Sequence, residues 1–103
     1  MTDLEMMRLC AEAMGLEVIP YDGAIVVFVK RPKRGEQEYR PLHDDAQAMA
    51  LVKKFNLTIR QICLTPNVLQ QWQINDGGPS NYSLNRAIVE CVAKMQKARS
   101  TDA

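Results

Sequence analysis

The apolar run at residues 24–29, Ala-Ile-Val-Val-Phe-Val, constrains the fold more than any other feature of the sequence. A β-rich run of this length without polar alternation is typical of a strand that is covered on both faces. The dipeptide Asp22-Gly23 precedes it and marks a tight turn after another β-rich segment, residues 16–20. We therefore predict a hairpin whose second strand, residues 24–30, is central in a sheet.

Three amphipathic segments accompany the β-rich ones. In the first, Thr2 and Glu5 form a capping-box pattern, and Gly15 supplies a left-handed helix end. The second follows Asp44 and repeats apolar residues at the i, i+3, i+4 and i+7 positions of one helix face. Ser83 caps the third, whose predicted buried stripe consists of Leu84, Ala87, Ile88, Cys91, Val92 and Met95. We therefore predict three helices, each with one face packed on a core.

The remaining segments complete the order α-β-β-α-β-β-α. Two further strands, residues 57–64 and 68–74, are predicted around a turn at Thr65-Pro66-Asn67. Two prolines, a glycine and charges of both signs predict an exposed loop at residues 31–42. With short connections, this order favours an α+β fold, a sandwich of three helices on one mainly antiparallel four-stranded sheet.

The composition limits the classes of function. A length of 103 residues supports one core, so we expect one domain at residues 1–99 and a flexible tail at residues 100–103. A formal net charge of +1 gives no global signature of nucleic-acid binding. The wide spacing and odd number of Cys10, Cys63 and Cys91 argue against a disulfide framework and against a zinc site. No export leader is recognisable and the longest apolar run is too short for a bilayer, so we expect a cytoplasmic protein.

The sequence His43-Asp44-Asp45 invites a metal or acid–base interpretation. A metal site needs three or four convergent ligands, and the chain has no second histidine. Acidic residues at this point also suit the N-terminal dipole of the second predicted helix. We therefore interpret the junction as a helix cap, and we predict no catalytic residue, no metal, no cofactor and no enzymatic activity.

Basic residues and one tryptophan are the candidates for binding. The segment from Lys30 to Arg40 has a local excess of positive charge that Glu36 and Glu38 partly cancel. It can be a solvated loop, a contact for an acidic protein, or a weak contact for nucleic acid or a nucleotide. Trp72 is either a core edge or a binding anchor. The predicted partner-binding residues are Arg31, Lys33, Arg34, Tyr39, Arg40 and Trp72.

Two stretches, "YRPLHDDAQAMALVKKFNLTI" and "NRAIVECVAKMQKA", together with the opening "LEMMRLCAEAMGLEV", carry a family resemblance. They resemble small tailed-phage and prophage proteins of the phage ABA sandwich domain group. In that group a Pro-Leu-x-Asp-Asp opening precedes a helix and an Arg-Ala-Ile helix closes the chain. The matched residues are Pro41, Leu42, Asp44, Asp45 and Ala48, followed by Arg86, Ala87, Ile88 and Val89. The resemblance implies a sandwich fold and a phage origin, and it implies no catalytic residue.

These observations favour a small phage accessory protein that binds and blocks a host bacterial factor, such as an immunity or regulatory component. Small phage proteins without a catalytic constellation typically act by occupying a surface of their target. The alternative is a nucleic-acid or nucleotide-binding regulator that uses the basic segment at residues 30–40. We expect no membrane partner, and the sequence leaves open whether the chain forms a homodimer.

Overall fold

The computed structural model describes residues 1–19, 23, 26–31, 34–62, 71–75 and 80–101. In chain order its elements are α1 (Asp3–Ala13), β1 (Glu17–Ile19), β2 (Val27–Arg31), β3 (Gly35–Tyr39), α2 (Asp45–Phe55), β4 (Ile59–Ile62), β5 (Gln71–Ile74), β6 (Ser80–Asn81) and α3 (Leu84–Thr101). The predicted α+β class and the three helices are confirmed. The predicted turn at residues 65–67 and Cys63 lie outside the described residues. The predicted tail falls partly outside them and stays a prediction.

The strands form two antiparallel sheets, β1-β2-β3 and β4-β5-β6, so the prediction of one four-stranded sheet is wrong. Strand β2 is the middle strand of the first sheet, as its apolar sequence predicted. In the first sheet, β3 pairs with β2, and a side chain occupies part of the other edge of β3. There, the Gln47 carboxamide accepts from the Arg40 N–H at 2.7 Å and donates to the Glu38 carbonyl at 3.2 Å.

The prediction of a loop at residues 31–42 is wrong for Gly35–Tyr39, which form β3. This strand pairs with β2 over five residues, from Val27 opposite Tyr39 to Arg31 opposite Gly35. Glu36 and Glu38 are exposed while Tyr39 is buried, which is the alternation of a strand with one solvent-exposed face. Gly35 has a φ of 72°, a conformation that glycine adopts without strain and that lets the chain reverse. The charged residues therefore belong to the solvated face of an edge strand.

Local sequence signals set the helix ends where they were predicted. The Thr2 hydroxyl accepts from the Glu5 N–H at 3.1 Å, and the Asp44 carboxylate accepts from the Gln47 N–H at 3.0 Å. At the end of α1, Gly15 has a φ of 75° and the following N–H bonds back to Ala11, which is a Schellman motif. These contacts confirm that His43-Asp44-Asp45 is a helix start.

Helix α3 lies in the middle of the fold. It packs against α1, α2, β5 and β6, while α1 also contacts the first sheet. The helix is buried from Ala87 to Val89 and from Cys91 to Ala93, which is more of its circumference than one predicted stripe. Met95, which was predicted to be buried, is 38% exposed. The difference arises because several elements surround the first three turns of α3 and leave its last turns exposed.

Within the part of the chain that the structure describes, no helix combines the length and the apolar character that a bilayer crossing requires.

Candidate partner-binding surfaces

The first sheet presents one face to α1 and the opposite face to solvent. Directly paired residues share a face of a sheet, and side chains alternate along each strand. The register places Glu17 opposite Lys30 and Lys30 opposite Glu36, while the neighbouring row joins Ile19, Phe28 and Glu38. We call this surface the outer face; it consists of Glu17, Ile19, Phe28, Lys30, Glu36 and Glu38. Lys30 thus lies between two carboxylates.

The sheet disperses the cations that the sequence predicted as one patch. Arg31 is half-buried and belongs to the face opposite Lys30, because the two are adjacent in β2. Arg34 is exposed at the turn before β3, and Arg40 is exposed just beyond the other end of that strand. Lys33 lies outside the described residues. Arg40 is therefore separated from Arg31 and Arg34 by the length of β3.

Tyr39 is part of the core, with only 2% of its surface exposed. It lies on the same face of the first sheet as Val27, with which it is paired. Burial raises the pKa of its phenol, while the nearby Arg31 guanidinium acts in the opposite direction. The ring is therefore placed to stabilise the core, and it is not displayed for stacking on a partner.

Trp72 lies in the second sheet, away from the β2–β3 hairpin in sequence and in sheet membership. It is half-buried and packs against the core, on the same face of β5 as the fully buried Ile74. Its neighbours across the sheet are Gln61 and Asn81. This placement agrees with the interpretation of Trp72 as a core edge that keeps part of its ring at the surface.

A cluster that the sequence did not predict joins the N-terminal ends of the three helices. The Arg86 guanidinium donates to both Asp3 carboxylate oxygens, at 3.0 and 2.9 Å. The Asn85 amide donates to the Asp45 carboxylate at 2.8 Å. The bond with Arg86 lowers the pKa of the Asp3 carboxyl, and the same contact raises that of Arg86. Because a cation is unfavourable in the first turn of α3, Asp3 offsets the charge of Arg86.

The two described cysteines, Cys10 and Cys91, are both free and buried. The Cys10 thiol donates to the Val89 carbonyl at 3.5 Å, and burial raises its pKa to about 12. Cys91 contacts the Asn75 amide at 4.0 Å, and burial raises its pKa as well. The two thiols thus contact different groups, a backbone carbonyl of α3 and a side chain at the end of β5. Both thiols behave as buried apolar groups.

An open pocket of about 330 Å³ lies between the C-terminal parts of α1 and α3. It is lined by Glu12, Ala13, Gln96 and Arg99. Among the described residues, no group of three His, Cys, Asp or Glu side chains could hold a metal ion.

Comparison of the chain with protein-family models, with curated proteins and with solved structures gave no match. The resemblance to the phage ABA sandwich domain group therefore stays a prediction from the sequence.

Proposed function

We propose that this chain is a small non-enzymatic phage accessory protein that binds a host bacterial protein and blocks it by occupying a surface. The observation that carries the binding proposal is the row Glu17, Lys30 and Glu36 on the outer face. Beside it lie Ile19 and Phe28, both half-buried. A surface that combines both signs of charge with apolar groups is complementary to another protein surface.

The same row disfavours the nucleic-acid alternative. Phosphate groups are uniformly negative, and affinity for them depends on clustered cations. On the outer face Lys30 is accompanied by Glu17, Glu36 and Glu38, whose carboxylates would repel a phosphate backbone. Arg34 and Arg40 lie beyond opposite ends of β3, which further limits the number of phosphates that one duplex could bring to them.

The host and the phage setting are supported by the sequence resemblance alone. If the chain acts as proposed, it works in the cytoplasm of the bacterial host and acts stoichiometrically. Trp72, which is half-buried in the second sheet, is a second candidate anchor.

The test is affinity capture from bacterial lysate, with and without nuclease treatment, with the purified chain as bait. Lys30→Glu places three carboxylates in one row and should abolish capture of a specific protein, because the charge pattern of the outer face is reversed at its centre. Arg8→Glu changes an exposed cation on α1 and is the matched control, which should retain capture. Capture that is equal for both variants, or that disappears with nuclease alone, would contradict the proposal.

A further inference from the structure

The second sheet has an open edge at β4. Among the described strands, β4 pairs with β5 alone, in the register that joins Ile59 to Ile74 and Ile62 to Gln71. The Asn75 N–H donates to the Thr58 carbonyl at 2.8 Å, and the Thr58 N–H donates to the Asn75 side chain at 2.9 Å. Residue 58 therefore directs its backbone groups toward β5.

Alternation along the strand then fixes the direction of the next residues. Residues 60 and 62 also direct their backbone groups toward β5, so Ile59 and Gln61 direct their N–H and C=O groups away from it. Within the described residues, no hydrogen bond reaches these outward groups. They form a template of the kind to which an extended chain adds as a further strand.

In the first sheet, a side chain bonds to the outward backbone groups of the edge strand β3. At the end of β3, the Gln47 carboxamide bonds to the Glu38 carbonyl and to the Arg40 N–H, as a neighbouring strand would. No side chain of the described residues does the same for Ile59 and Gln61. The two sheets therefore differ in how their edges are completed.

The charge of the sequence segment that contains β4 indicates the chemistry of a strand that would complete this edge. The sequence contains no acidic residue between Asp45 and Asp76, and its cations in this interval are Lys53, Lys54 and Arg60. Lys53 and Lys54 lie in the last turn of α2, which leads into β4 through the left-handed Asn56. An acidic segment is thus favoured beside this edge.

The two faces of β4 refine that expectation. Ile59 and Gln61 share a face with Ile74 and Trp72, which pack on the core side of the sheet. Arg60 lies on the other face, where its Nε donates to the Gln73 side chain at 3.0 Å. A strand added beside β4 would place apolar side chains next to Ile59 and acidic side chains next to Arg60.

We propose that the edge of β4 docks an extended acidic segment of a partner protein as an additional strand of the second sheet. The segment alternates apolar and acidic residues, and its main chain bonds to the outward groups of Ile59 and Gln61. This surface is separate from the outer face, so either proposal can fail without the other.

The experiment measures fluorescence anisotropy with a labelled peptide of alternating valine and glutamate, and with a second peptide of alternating valine and lysine. Gln61→Pro removes the outward N–H of β4 at a position that an edge strand tolerates, whereas Gln61→Ala keeps it. We expect the acidic peptide alone to bind. Its affinity should fall by about tenfold or more in Gln61→Pro and change less than about threefold in Gln61→Ala.

Arg60→Glu is a second variant that keeps the test decisive if Gln61→Pro does not fold. It should weaken binding of the acidic peptide and allow binding of the lysine peptide. Amide NMR spectra of the wild-type chain should show shifts at Ile59 and Gln61 on addition of the acidic peptide. Equal affinity for both peptides, no binding, or shifts confined to other strands would refute the proposal. A concentration-dependent dimer that Gln61→Pro abolishes would refute it too, since the occupant would then be a second copy of the chain.

Discussion

Replacing Gln47 by methionine tests the contact that completes the edge of β3. Methionine has nearly the length and the helix propensity of glutamine, so the substitution leaves α2 intact and removes the carboxamide. Two hydrogen bonds are lost, one from the Arg40 N–H at 2.7 Å and one to the Glu38 carbonyl at 3.2 Å. The cap from Asp44 is kept, because it binds the backbone N–H of residue 47.

The expected loss of stability follows from the exposure of these bonds. A neutral hydrogen bond contributes about 0.5–1.5 kcal/mol net, and two of them would contribute about 1–3 kcal/mol. Arg40 and Glu38 are exposed, so water can bond to their backbone groups in the variant. We therefore expect a loss of about 1–2 kcal/mol in the free energy of unfolding. In a domain of this size, each kcal/mol corresponds to about 4–8 °C in Tm.

Urea denaturation measures the loss, and amide hydrogen exchange locates it. In Gln47→Met the Arg40 amide should exchange faster, because it no longer donates to a side chain. The control Gln61→Met removes an exposed glutamine from β4 and should change stability by less than about 0.5 kcal/mol. A loss in Gln47→Met equal to that of the control, with unchanged exchange at Arg40, would show that the carboxamide does not hold the edge of β3.

Three other predictions address the core, the helix starts and the pH dependence. Ile88→Ala should cost about 2–5 kcal/mol in urea denaturation, since this side chain is fully buried in the middle of α3, and a loss below about 0.5 kcal/mol would contradict that packing. Asp44→Ala should cost about 0.5–2 kcal/mol through the lost cap, and added divalent metal should leave the Tm of the wild-type chain unchanged. Because the Arg86 bond lowers the folded-state pKa of Asp3, its stabilisation is present above the ordinary value of 3.8 and disappears as pH falls through the lowered one. Asp3→Asn should therefore be less stable than wild type at neutral pH and equally stable in strong acid; a constant difference across the pH range would refute the assignment.

The helices could be predicted from the sequence because their signals are local. Thr2 and Asp44 cap through bonds to residues three positions ahead, and Gly15 ends α1 through its own backbone conformation. The apolar strand β2 is likewise a local pattern, and its central place in the first sheet followed from it. In each case, the residues that decide the structure are close together in the chain.

The division into two sheets could not be predicted, because it depends on contacts between distant residues. Composition favoured a loop where β3 forms, since the glutamates of an edge strand and those of a loop are equally well solvated. The bonds from the Gln47 side chain to the edge of β3 require α2 to lie beside β3, and no short sequence pattern encodes that placement. The positions of the predicted binding residues could not be predicted either, because they depend on strand pairing. Alternation in the sheet separates Lys30 from Arg31 and buries Tyr39.

The central place of α3 has a consequence for synthesis on the ribosome. Helix α3 follows all the other described elements in the chain, and its bonds to α1 join residues 79 and 83 positions apart. Until α3 has emerged, α1 and α2 have no partner for the apolar faces that they later bury against it. Loop closure over such separations slows folding, and apolar surface stays exposed in the interval. We infer that folding of this domain is completed only after α3 has left the exit tunnel, and that a nascent chain stalled before α3 exposes the apolar faces of α1 and α2.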